Sequence, residues 1–253
     1  MYGLQQSLGG TIVRKTGDEP VLWKGKETGF CLRDFWSWSY SDLLDNTLRG
    51  CYSEFIVAAA LGIDLSEPRA NWEPWDLTLY EEANAIHIEV KSGSYLQAWK
   101  QNHPSTIRFG IQPTICWSPT NGYTGEPHRQ SDVYVFCVFA EQDAAKVDPM
   151  KLDSWEFYVL PTKELDKHCG VQRTISLNAL LRLSPQKVDF ADLKSAVLQS
   201  VRQKLSVSIR FIFVLPLHHR LAVVQTAGEN LLGEQAVLVG AGGLQGCKRR
   251  RFG

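Results

Sequence analysis

The 253-residue chain lacks net charge: 27 Lys and Arg are balanced by 27 Asp and Glu. No global field therefore draws it onto a polyanion, and any contact with nucleic acid has to come from a local surface. Its six cysteines include no C-x-x-C pair, which argues against a structural zinc site. Isolated thiols in a chain of this length fit a reducing compartment rather than a disulfide scaffold, so a cytoplasmic protein is expected. Residues 1–10 have no basic segment followed by an apolar run, which excludes a secretory signal of the usual pattern there. The apolar stretch Leu205–Leu217 is thirteen residues long and contains Arg210. It is too short to span a bilayer, and no membrane partner is expected.

What the chain does have is apolar surface. Hydrophobic residues make up 44% of it, with eight Trp, eight Tyr and eleven Phe, enough to exclude disorder as the main state. Charge is unevenly distributed. Residues 204–253 carry seven basic and two acidic side chains, so the remainder is mildly acidic. Two regions follow: a domain over residues 1–203, and a basic tail rich in Leu, Val and Gly over residues 204–253, to which the sequence assigns no role.

Periodicity predicts a helix over Ser41–Leu61, interrupted at Gly50, with Ser41 as N-cap and Gly62 as the residue that ends it. Tyr95–Gln101 reads as the start of another helix. Ile107–Trp117, Asp132–Ala140 and Trp155–Leu160 read as strands, Pro161 opens a short helix, and Phe190–Val201 reads as a closing helix. Residues 1–34 give weak signals. The mixture of helices and strands predicts an α/β fold with a mixed sheet.

The most informative stretch is Trp75–Lys91. Asp76–Tyr80 alternates between polar and apolar residues, as does Ile86–Lys91, with a short polar connection between them. This pattern predicts a β-hairpin. Pairing Leu77 with Ile88 and Leu79 with Ile86 puts the apolar residues of both strands on one side, and a one-residue slip would bury the charges instead. The same register sets Asp76 across from Glu89, with Lys91 and His87 sharing the face of Glu89. Two carboxylates about 5 Å apart repel by about 3 kcal/mol at an effective dielectric near 20. Lys91 offsets part of this, and a hard divalent cation held by both oxygens would offset more. Glu54, on the predicted helix, has small or apolar neighbours at helical spacing. Two readings apply to it: a third acid facing the same site, or a helix glutamate paired with Arg49 or another base.

The set Asp76, Glu89-Val90-Lys91 and the upstream Glu54 resembles the PD-(D/E)xK nuclease superfamily, whose motif sits on a β-hairpin of a restriction-endonuclease-like fold. The stretches Leu48–Glu54, Trp75-Asp76, Ile88–Ser92, Tyr95–Trp99 and Ser131–Phe136 are also similar to a group of uncharacterised prokaryotic members of it. The likeness covers roughly residues 35–201. It implies an αβββαβ core with a mixed central sheet flanked by helices, and in-line hydrolysis of a phosphodiester supported by Mg2+ or Mn2+. Asp76, Glu89 and the Val90 carbonyl would ligate one or two metal ions, Glu54 would support the metal directly or through water, and Lys91 would orient or polarise the attacking water. Gln97, following the motif, would face the site. Arg129 and Lys100 are candidate phosphate contacts on weaker grounds.

DNA is the expected substrate, but RNA presents the same phosphodiester and the hairpin does not choose between them. The same fold used as a non-cleaving nucleic-acid-binding or assembly module is the alternative. A homo-oligomer is neither required nor excluded. His87 is read as a surface histidine rather than a ligand. His218-His219 is discounted as a metal pair, because adjacent strand residues point opposite ways. The glycine-rich Val237–Gly246 is followed by too few residues to complete a dinucleotide-binding unit.

Overall fold

A computed structural model describes residues 12–69, 74–82, 84–118 and 122–202. The chain begins with a hairpin of β1 (Pro20–Trp23) and β2 (Lys26–Cys31), then α1 (Leu32–Ser39) and α2 (Asn46–Leu61). Next come β3 (Leu77–Glu81), β4 (Asn84–Ser94), β5 (Arg108–Gly110), β6 (Thr114–Ser118), β7 (Gly122–His128) and β8 (Val133–Phe139). After them lie β9 (Trp155–Pro161), α3 (Thr162–Cys169), β10 (Thr174–Ser176), α4 (Leu177–Leu181), β11 (Gln186–Val188) and a helical segment over residues 193–202, here α5.

Five strands form the central sheet in the order β11-β9-β8-β4-β3. β4 and β8 are parallel, and the other neighbours are antiparallel. The α/β class with a mixed sheet flanked by helices is thus observed, and it is compatible with the restriction-endonuclease-like arrangement. β8 (VYVFCVF) is buried along its whole length, as a central strand covered on both faces must be. Its alternate residues feed two cores. Val133, Val135, Cys137 and Phe139 pack with Ile86, Ile88 and Val90 beneath α2 and α5. Tyr134, Phe136 and Val138 pack with Phe109, Leu165 and Leu180 on the opposite face.

Sequence expectation and structure differ at identifiable points. The helix expected from Ser41 starts at Asn46, because Asp45 is the residue whose carboxylate accepts the Thr47 and Leu48 N–H groups, at 2.9 and 3.1 Å. Gly50 lies within α2 without breaking it. Gly62 ends the helix in the left-handed conformation, at φ +71°. Tyr95–Gln101 is not a helix but a loop, and Gln101 explains why. Its side chain accepts from the Gln97 N–H (2.7 Å) and donates to the Tyr95 carbonyl (3.3 Å) and to Ser105 Oγ (2.8 Å). A side chain meeting backbone groups in this way replaces the helical ladder. The expected strand Ile107–Trp117 is divided between β5 and β6, and Pro113 lies between the two. The tail, His218-His219 and Val237–Gly246 lie outside the described residues. Among the described residues no helix is long and apolar enough to cross a membrane.

Gly93, in the part of β4 that runs on past the hairpin, tests the packing of the second core. A Cβ placed there would lie 2.6 Å from Cγ2 of Ile107 and 3.2 Å from the Phe109 ring. Gly93→Ala is expected to destabilise the fold by about 1–3 kcal/mol through overpacking. Urea unfolding should show this as a lower midpoint with an unchanged slope.

Candidate active site

The site is built at the place where one strand stops and its partner continues. The β3–β4 ladder pairs Leu77 with Ile88 and Leu79 with Ile86, the register expected from the alternation. One residue beyond it, the Asp76 N–H donates to the Ile88 carbonyl at 3.0 Å. The Asp76 carboxylate then accepts the Val90 N–H through Oδ2 at 2.9 Å. A side-chain oxygen thus occupies the place where the next strand carbonyl would be. β4 runs on to Ser94 and pairs with β8 throughout. Residues 88 and 90 point their backbone groups to the same edge, so the Val90 carbonyl faces the side on which β3 has ended.

A cavity of about 740 Å³ opens at that edge. α2 contributes Gly50, Cys51 and Glu54 to its lining, the lead-in to β3 contributes Asp76, and β4 contributes Glu89, Val90 and Lys91. Parallel pairing sets Glu89 beside Tyr134 and Lys91 beside Phe136, so the backbone of both residues is held in the sheet interior. Glu89 is 6% exposed, and Lys91 Nζ lies 2.5 Å from its Oε1. A charge pair that close meets much of the desolvation cost of holding a carboxylate in the sheet.

The remaining expected residues divide into those the fold brings to the cavity and those it does not. Glu54 lines the cavity and is 6% exposed, but Arg69 grips both its oxygens, Nε on Oε2 at 2.5 Å and Nη2 on Oε1 at 2.8 Å. The partner is thus another base, not Arg49. The hydrogen bond to Glu54 raises the Arg69 pKa against the opposing effect of burial, and the charges of Glu54, Cys51 and Asp76 add to the rise. Arg49 turns away to the Leu44 carbonyl and the side chains of Asn46 and Gln97. Burial lowers its pKa from the usual guanidinium range, against the raising effect of Asp45.

Arg129 lines the cavity, but its side chain is only 1% exposed. Its Nε donates to the Ile111 carbonyl (2.8 Å) and its Nη1 to Asp166 (2.6 Å), which ties the β5 loop to α3. That geometry is a structural brace, not an open phosphate contact. Gln97, expected on a helix to face the site, and Lys100, a candidate phosphate contact, lie in the loop after β4 and do not line the cavity. Gln97 is engaged with Arg49 and the Ser94 carbonyl, and Lys100 is exposed. His87 is not grouped with metal-ligating side chains. Its ring stacks on Trp75 with centroids 3.5 Å apart, and its backbone N–H donates to Asp132. Trp75 Nε1 donates to Thr78 Oγ1 at 2.8 Å, so the residue preceding Asp76 is clamped onto the hairpin.

Arg69, Gln112 and Arg173 were not singled out by the sequence. Gln112, just after β5, and Arg173, just before β10, line the cavity and are hydrogen-bonded to one another at 3.0 Å. They are about sixty positions apart in the chain, and no local pattern joins them. Among the described residues no three His, Cys, Asp or Glu side chains gather closely enough to form a ready-made metal cage. What the cavity offers is carboxylate and carbonyl oxygen from Asp76, Glu89 and Val90, with ammonium and guanidinium groups beside them. That combination can position a phosphate and a water.

Comparison with curated proteins and with solved structures gave no match. The family model of bacteriophage T4 endonuclease IV matches residues 35–179, a span that contains α2, the β3–β4 hairpin, Arg129 and Arg173. The chain therefore belongs to the bacteriophage T4 endonuclease IV family, a family of nucleases.

Proposed function

We propose that the chain hydrolyses DNA phosphodiester bonds, with support from a divalent metal, at a PD-(D/E)xK-type site formed by Asp76, Glu89, Val90 and Lys91. The observation that carries this reading is the end of the β3–β4 ladder. There, two acids from neighbouring strands and a lysine two residues on line one open cavity.

The donor set fits Mg2+ or Mn2+. Asp76, Glu89 and the Val90 carbonyl are hard oxygen ligands, and among the described residues no histidine lines the cavity with them. Magnesium commonly keeps several waters and takes only one or two carboxylates plus substrate phosphate, so a closed cage of three side chains is not required. When bound, the ion lowers the pKa of a coordinated water and neutralises charge on the phosphate.

The residues themselves carry the rest. The Asp76 side chain is held by the Val90 N–H, so its carboxylate is oriented before substrate arrives. Lys91, now paired with Glu89, can pass its hydrogen bonds to the attacking water and to a non-bridging phosphate oxygen. Water adds to phosphorus and gives up a proton to solvent, the bond to the leaving oxygen breaks, and that oxygen takes a proton from solvent, so the protons balance. Arg69 neutralises Glu54 at the back of the cavity and so limits the negative charge that would repel a phosphate. DNA is favoured over RNA as substrate because the matching family is named for a phage endonuclease.

Two outcomes are expected. Purified protein cleaves DNA with Mg2+ or Mn2+, and Asp76→Ala and Lys91→Ala each lower the rate by about a hundredfold or more while the circular dichroism spectrum is retained. Undiminished cleavage in both variants would overturn the assignment. Separately, Mn2+ at about a hundred times its dissociation constant should stabilise the wild type by roughly 2.7 kcal/mol. Thermal melting should show the increase, and Asp76→Asn should abolish most of it.

A further inference from the structure

We infer that Arg173 is the residue that grips the substrate backbone, binding one phosphate group through the two terminal nitrogens of its guanidinium. This deepens the proposed function and rests on it for the identity of the substrate.

Three observations carry the inference. Arg173 lines the same cavity as Asp76 and Glu89 but comes from a separate wall, that of β5 and β10. Its backbone is fixed there, because its carbonyl accepts the N–H of the buried Ile111 at 2.9 Å. Its side chain is exposed, yet among the described residues it forms no ion pair. Among the described residues its one side-chain hydrogen bond runs from Nε to Gln112 Oε1, at 3.0 Å. Arginine has five N–H donors, so this bond sets the direction of the fork while leaving both terminal nitrogens available.

The other bases that line the cavity are engaged differently: Arg129 is buried against Ile111 and Asp166, and Lys91 holds Glu89. Arg69, which does not line it, holds Glu54. The wall around Arg173 supplies Gly110, Gln112, Thr114 and Gln130, none of them acidic. A pre-oriented guanidinium without a carboxylate partner, facing a site built for phosphodiesters, matches the bidentate geometry of a phosphate. The contact reads backbone and not base, so it contributes affinity without sequence preference. Gln112 acts through Arg173 as a positioning residue.

The test is fluorescence anisotropy with a labelled DNA oligonucleotide in Ca2+ over a series of KCl concentrations, combined with steady-state cleavage in Mg2+. Arg173→Ala is expected to weaken binding by roughly 10- to 50-fold and to reduce the slope of log affinity against log salt by about one. KM should rise while kcat at saturating DNA stays within about threefold, the pattern of a lost uniform binding contact. Arg173→Lys should restore part of the affinity and the whole of the slope. Gln112→Ala should raise KM by less than Arg173→Ala, with the slope unchanged. Unaltered affinity and slope in Arg173→Ala would overturn the inference, as would a loss confined to kcat. The two readings fail separately: wild type that binds DNA without cutting it contradicts the nuclease reading alone. Cleavage and binding that ignore Arg173 contradict only the phosphate contact, and no DNA binding at all contradicts both.

Discussion

The site depends on one local event, the substitution of a side chain for a strand. The β3–β4 ladder begins at Leu77, and the carboxylate of Asp76, the residue before it, takes the Val90 N–H that an earlier start of β3 would have bonded. An unpaired N–H at a buried strand edge is costly, so this bond stabilises the hairpin end. It also delivers an acid to the one edge of β4 that the sheet leaves open. Glu89 and Lys91 follow from the same register, because a pleated strand fixes which residues flank Val90. The same hydrogen bond thus closes the hairpin end and orients the acid assigned to the proposed site.

The surroundings are arranged to let several charges exist in a small space. Each carboxylate at the cavity has a defined local partner: Val90 N–H for Asp76, Lys91 for Glu89, Arg69 for Glu54. Arg129 and Arg49 work beneath the surface, bracing loops against the sheet through backbone carbonyls. A buried guanidinium suits this role, since it stays charged and can satisfy acceptors on separate segments at once. The Trp75–His87 stack does similar work without charge, by holding the lead-in to β3 against the hairpin.

The hairpin was legible in the sequence because period-two alternation in two short runs admits one register that buries both apolar sets. Asp76, Glu89 and Lys91 followed from that register as residues sharing an end of the hairpin, and the α/β class followed from the mixture of elements. Glu54 was legible as an acid on an apolar helix face, but not its partner, since Arg69 reaches it from a loop fifteen residues on. The loop after β4 was misread because helix-forming residues there are overruled by Gln101, which bonds the backbone with its side chain. Gln97 and Lys100 accordingly sit in that loop and not on a helix. Arg129 was named as a phosphate contact because basic residues read alike in sequence, whether a neighbour buries them or not. Arg173 and Gln112 have no local signature, and it takes the β5–β10 pairing to bring them to the cavity.

The most direct test of the central claim is anomalous diffraction from crystals of the protein soaked in Mn2+. The account requires a single strong peak within coordination distance of the Asp76 and Glu89 carboxylates and the Val90 carbonyl. No peak at that place, or a peak only at other acidic residues with Asp76 still bound to the Val90 N–H and Glu89 to Lys91, would contradict it.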